Sequence, residues 1–134
     1  MPIMKADELM IGDFVRAIYS QKIIKIREIK QSCIYTNDNG YRYSEIEPIS
    51  PTTEILEKNG FKRNNPYNYI YKDDYCEVCV SVVPKVKIDD IDLAELPINV
   101  SIKGALFDIN MTISSIHEFQ QALRLCGIEK EIIL

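Results

Sequence analysis

Ser114-Ser115-Ile116-His117-Glu118-Phe119-Gln120-Gln121-Ala122-Leu123-Arg124-Leu125-Cys126-Gly127-Ile128 reads as one whole amphipathic helix with its own start and stop signals. Ser115 followed three residues later by Glu118 is a capping-box pattern, in which the hydroxyl accepts from the N3 amide. Ile116, Phe119, Leu123 and Cys126 recur at helical spacing with Ala122 beside them, which makes one stripe for a core. His117, Gln120, Gln121 and Arg124 share the opposite, polar face. Gly127 can take the left-handed conformation that ends a helix, with Ile128 folding back on Leu123. Thr52 or Thr53 to Gly60 repeats this layout in shorter form, with Ile55 and Leu56 as its apolar residues and Phe61 meeting Leu56. Both helices are built for packing, and neither carries chemistry.

Working outward, residues 1–50 read as an all-β module. Leu9 to Val15 is an apolar lead-in, a Gly12-Asp13 turn and the start of a strand, an arrangement frequent at the start of SH3-like small barrels. Strands are predicted at 14–19, 22–30 and 32–37, and Asn39-Gly40 gives the hairpin signal into Tyr41-Arg42-Tyr43. In 51–134 the short helix leads to a hairpin of 67–72 with 75–83, turning at Asp73-Asp74. Cys76, Val78, Val80 and Val82 fall on one face of its second strand, with Tyr75, Glu77, Cys79 and Ser81 on the other. Residues 85–97 have no clear period and read as a long loop with a turn or short helix. Ile98, Val100 and Ile102 then alternate inward, Gly104 turns the chain, and Phe107, Ile109 and Met111 alternate inward again. The C-terminal helix is expected to cover that sheet, and 129–134 to add an edge strand or fray. The fold predicted is α+β: an N-terminal SH3-like small β-barrel module over 1–50, then an α+β domain over 51–134 with a short helix, an antiparallel sheet and the covering helix.

Composition is that of a globular chain, with 46% hydrophobic and 27% charged residues in 134. No apolar run reaches the ~18 residues of a membrane span, and the first residues lack the apolar core of a secretory signal, so a cytoplasmic location is expected. The net charge of −4 argues against nucleic-acid binding by bulk electrostatics. That acidity is local: residues 1–50 hold seven basic and seven acidic side chains, and 51–134 hold nine and thirteen. Residues 14–44 carry six cations against Glu28 and Asp38.

Chemical motifs are sparse. Cys76-Glu77-Val78-Cys79 has the spacing of a zinc knuckle, but on a strand its two thiols point to opposite faces, and zinc wants about four converging ligands. No second such pair exists, and His117 is the only histidine. Four cysteines are too scattered for a disulfide scaffold and are expected reduced. His117, on the polar face of a helix's first turn, is expected to be solvated or a local hydrogen bonder. Asp73-Asp74 and Asp89-Asp90-Ile91-Asp92 read as turn formers and lack calcium-loop spacing. The five glycines are isolated, which excludes phosphate-cradling fingerprints. Neither a metal nor a cofactor is expected, and no catalytic role.

The surface with most to offer is basic and tyrosine-bearing. Tyr19, Tyr35, Tyr41 and Tyr43 interleave with Lys22, Lys25, Arg27, Lys30 and Arg42. Rings can stack on bases or prolines while cations meet phosphates or carboxylates. Tyr19, Lys22, Lys25, Arg27, Tyr35, Tyr41, Arg42 and Tyr43 are therefore the candidate binding residues. The plainer alternative is that tyrosine is a good strand residue and that lysine blunts sheet edges. A protein partner is the first expectation and nucleic acid the second; homodimerisation through a free sheet edge is compatible with both.

Lys5 to Val15, Ile46 to Ile49 with Thr53 to Phe61, and His117 to Ile128 together resemble a group of uncharacterised small proteins encoded by gut anaerobes and their prophages or mobile elements. The resemblance implies this architecture and a mobile-element setting, and it carries no activity.

Overall fold

The computed structural model describes residues 4–65, 68–81, 86–88, 91–93, 98–128 and 130–134. In chain order the strands are β1 Phe14–Ala17, β2 Ile23–Lys25, β3 Glu28–Ile29, β4 Cys33–Tyr35, β5 Gly40–Arg42 and β6 Ile46–Glu47. Helix α1, Thr53–Lys58, follows, then β7 Lys62–Asn65, β8 Asn68–Lys72, β9 Cys76–Ser81, β10 Val86–Ile88, β11 Ile91–Leu93, β12 Ile98–Gly104 and β13 Asp108–Ile113. Helix α2, Ile116–Leu125, comes last. Short 3₁₀ turns precede β1 at Ala6–Glu8 and β6 at Tyr43–Glu45. The architecture is thus mixed, mostly strands with two α-helices among the described residues. None of its described helices is long and apolar enough to cross a membrane.

The chain divides into two compact units, residues 1–50 with 115–125, and residues 51–114 with 126–134. In the first, β2-β1-β6 and β3-β4-β5 form two antiparallel three-stranded sheets. The expected small barrel is not closed: the predicted strand over 22–30 breaks at Ile26-Arg27, so β2 pairs with β1 and β3 with β4. Val15, Ile24, Ile26, Ile34 and Ile46 form the core, with Ile29, Tyr41 and Tyr43 packed against it.

The C-terminal helix belongs to this unit, a correction to its expected place in a 51–134 domain. Its stripe is as read: Ile116, Phe119 and Leu123 are fully buried, each contributing about 1.5–3 kcal/mol. The Ser115 hydroxyl accepts from the Glu118 amide at 3.3 Å and donates to its carboxylate, which is half of the expected capping box. What decides the helix's place is its polar side. The Gln120 side chain accepts from the Phe14 amide at 2.8 Å and donates to the Gly12 carbonyl at 3.1 Å. Gln121 donates to the Glu8 carbonyl and to the Asp13 carboxylate, which Arg124 also meets. The Ile116 amide donates to the Ile49 carbonyl.

In the second unit β13-β12-β9-β8-β7 make a five-stranded antiparallel sheet. The hairpin turns at Asp73-Asp74 as expected, and Cys76, Val78 and Val80 point inward against Ile98, Val100 and Ile102. Strand β7 was not foreseen, because Lys62–Asn65 is polar and pairs at a sheet edge, with an irregular register between Arg63 and Asn65. Phe107, expected inward, is exposed and lies against Gly104, where a Cβ would stand 2.6 Å from its ring Cζ. Within the predicted 85–97 loop, β10 and β11 pair as a hairpin; Asp89 and Asp90 lie outside the described residues. Thr52 caps α1 through the Ile55 amide, and Gly60 ends it at φ +85°. Among the described residues after α2 no strand forms. Instead the buried Asn59 amide clamps the Ile133 backbone, donating to its carbonyl at 2.8 Å and accepting from its N–H at 2.7 Å.

Candidate binding face

Strand register sorts the eight candidate residues. Cross-strand partners share a face. Ile29, Ile34 and Tyr41 are aligned across β3, β4 and β5 and turn to the core, whereas Glu28 with Tyr35, and Cys33 with Arg42, take the outer face. Tyr41 is therefore partly buried against the core. Tyr43, also packed on the core, sends its hydroxyl to the Lys30 carbonyl at 2.6 Å, tying the 3₁₀ turn to the β3–β4 connection. These two tyrosines are structural.

Tyr35 is different. Its ring lies across Gly40, whose missing side chain leaves room for it: a Cβ there would come within 2.9 Å of ring Cε1. Lys30 stands over the ring with its Nζ 5.1 Å from the centroid and 3.8 Å from a Glu28 carboxylate oxygen. The hydrogen-bonded Cys33 beside it pushes the phenol up from its ordinary value, so the ring is neutral throughout the physiological range. Arg42 is exposed on the same face. The outside of this sheet thus carries the half-buried Tyr35 ring with Lys30 over it, and the exposed Arg42 on the same face.

The other candidates lie apart from this group in the chain's pairing. Tyr19, 85% exposed, sits in the β1–β2 turn, where Lys22 closes the hairpin through its carbonyl. Lys25 is held over the Phe14 ring at 5.7 Å, across the β1–β2 pair. Arg27 is exposed at the break between β2 and β3. The eight residues of the sequence pattern are spread over two sheets and their connections; Lys30, left out of the eight, is the cation over the Tyr35 ring. The signal that singles out Tyr35 is a glycine directly opposite an aromatic in a hairpin, where the ring covers bare backbone.

His117 is buried, a correction to the solvated reading. Its Nε2 lies 3.4 Å from the Ser115 hydroxyl, and among the described residues Nδ1 finds no hydrogen-bond partner. Burial pushes its pKa down, against the opposing pull of Asp13, Glu118 and Glu8. The two motif cysteines do face opposite ways, Cys76 buried and Cys79 half-exposed. Burial, reinforced by Asp73, pushes the Cys76 thiol up to about 11, which removes its nucleophilic form at neutral pH. Among the described residues no three His, Cys, Asp or Glu side chains gather into a metal-holding group. Comparison with protein-family models, with curated proteins and with solved structures found no match for the chain.

Proposed function

We propose that the protein is a non-catalytic interaction protein whose N-terminal unit holds an acidic segment of a protein partner on the outer face of β3-β4-β5. The observation that carries this reading is the Tyr35 ring laid over Gly40 with Lys30 above it, on the outer face that Arg42 shares. A ring supplies rigid contact area at little entropic cost, and flanking cations select carboxylates. The order of elements supports an SH3-like module of open form: the break at Ile26-Arg27 leads from one sheet to the other, a 3₁₀ turn precedes the last strand, and that strand returns to β1. The mobile-element setting implied by the resemblance fits a small adaptor acting on a host or element protein in the cytoplasm.

A second reading, a nucleic-acid accessory factor, draws on the same Lys30–Tyr35 pair, since a base can stack on the ring while Lys30 and Arg42 meet phosphates. The test is capture from host lysate with the intact protein and with a Tyr35→Ala/Arg42→Glu variant, with and without nuclease. A protein partner that survives nuclease and is lost from the variant is the expected result. Equal capture by the variant refutes the assigned face. Capture lost with nuclease, together with an affinity that falls steeply with salt, selects the nucleic-acid reading.

A further inference from the structure

The second unit holds a pocket of about 490 Å³ that the sequence did not announce. That volume lies within the range that takes small molecules, roughly 300–1,000 Å³. Three segments build it: the β8–β9 hairpin, the β12–β13 turn and the residues after α2. Tyr71, Tyr75 and Phe107 supply aromatic surface, and the last two are exposed, Tyr75 at 86%, with no core to fill. Cys76 and Cys126 supply a polarizable wall, and burial pushes both thiols up, so the wall is uncharged. At Gly127 nothing stands within 4 Å of where a Cβ would be, which leaves open space beside the backbone.

Two charged groups line this space, and they differ in what they have left to give. Asp73 is filled. One carboxylate oxygen accepts from the Tyr75 and Cys76 amides at 2.8 Å each, and the other faces the Tyr71 hydroxyl at 3.4 Å. Those backbone donors hold its carboxyl below the ordinary range. Lys130 is unfilled. Its ammonium lies 4.5 Å from the Tyr71 ring centroid, and among the described residues no carboxylate pairs with it. Three N–H donors on a cation at an aromatic wall want an anion with a flat body.

We propose that this pocket binds a small planar aromatic acid, its ring among Tyr71, Tyr75 and Phe107 and its carboxylate on Lys130. The site shares no residue with the Tyr35 face and stands or falls independently of it. The test is a titration of the full-length ¹⁵N-labelled chain, followed by NMR, with three probes that differ in one group: 4-hydroxyphenylacetate, the neutral 4-hydroxyphenethyl alcohol and the cationic tyramine. The acid is expected to shift the Cys76, Phe107 and Gly127 amides, with affinity about tenfold above the alcohol, the worth of one partly desolvated ion pair. Lys130→Gln removes that preference while Lys130→Arg keeps it. Tyr75→Ala, at a position too exposed to unfold the chain, weakens all binding several-fold. No shifts at about 10 mM acid, alcohol or amine binding as tightly as the acid, or a preference that survives Lys130→Gln each overturns the proposal.

Discussion

Asp13 holds the polar clasp that fixes α2 to the first strand, and removing its partner Arg124 measures that clasp. The Asp13 side chain is 0% exposed. It accepts from the Met10 amide at 2.8 Å, from Gln121 at 2.7 Å and from Arg124. Breaking one side of a buried ion pair typically costs about 3–5 kcal/mol, because a charge is left without compensation. Arg124 is a third exposed, so water reaches the gap and two donors remain on Asp13. The cost of Arg124→Ala is accordingly discounted to about 2–3 kcal/mol. For a chain of this size that lowers the melting temperature by about 6–15 °C. Asp13→Ala, which strands Arg124, Gln121 and the Met10 amide together, is expected to cost more, about 3–5 kcal/mol. Urea unfolding gives the magnitudes, and the double variant with Asp13→Asn gives a coupling of at least about 1 kcal/mol. Hydrogen exchange gives the location: amides of β1, β2 and β6 lose protection first, while those of β9 and β12 keep theirs. An Arg124→Ala cost under about 0.5 kcal/mol, the worth of an exposed pair, refutes this account. Equal loss of protection across both sets of strands refutes the assignment of the helix to the first unit.

Three further outcomes follow from the same geometry. Burial lowers the His117 pKa in the folded chain, so between that value and the ordinary 6.5 the unfolded state binds more protons. Stability is therefore fully present above about pH 6.5 and declines as the pH falls below it, and His117→Gln flattens the profile between pH 7 and 5 in urea titrations. Gln120→Ala leaves the Phe14 amide and the Gly12 carbonyl without partners and is expected to cost about 1–3 kcal/mol by thermal denaturation. With its thiol near 11 against an ordinary 9, native Cys76 has a thiolate fraction at pH 8 about a hundredfold below normal. Mass-mapped alkylation is expected to be slow there and to recover in urea; fast native labelling of Cys76 contradicts its burial.

The elements were legible where a local signal sufficed. Ser115 and Gly127 mark the ends of α2, Asp73 marks the hairpin, and two-residue alternation in Cys76, Val78 and Val80 names the inward face. Each of these is decided within a few residues by backbone geometry and the parity of a strand. The destination of α2 was not legible for a physical reason. Helical periodicity tells which stripe is apolar, and an apolar stripe fits either sheet system equally well. The choice is made by Gln120, Gln121 and Arg124, residues that a hydropathy reading assigns to water. Here Gln120 fills the Phe14 amide and the Gly12 carbonyl, while Gln121 and Arg124 meet the Asp13 carboxylate of the same turn. A buried polar group costs little once it is bonded, so Gln120 is buried without leaving a hydrophobic signature.

The candidate face failed in part by the same logic. Tyr35 and Tyr41 look alike as members of a tyrosine-rich segment, yet the register of β4 on β5 pairs Tyr35 with Gly40 and Tyr41 with Ile34. One residue of slip in that hairpin would exchange their faces. The register is set by the Thr36–Asn39 turn, closed where the Thr36 amide donates to the Asn39 carbonyl and the Thr36 hydroxyl accepts from the Asp38 and Asn39 amides. A function that depends on which tyrosine faces water is thus fixed by a threonine side chain in a loop. Thr36→Ala, which touches no ring and no cation, is expected to weaken partner binding through register alone.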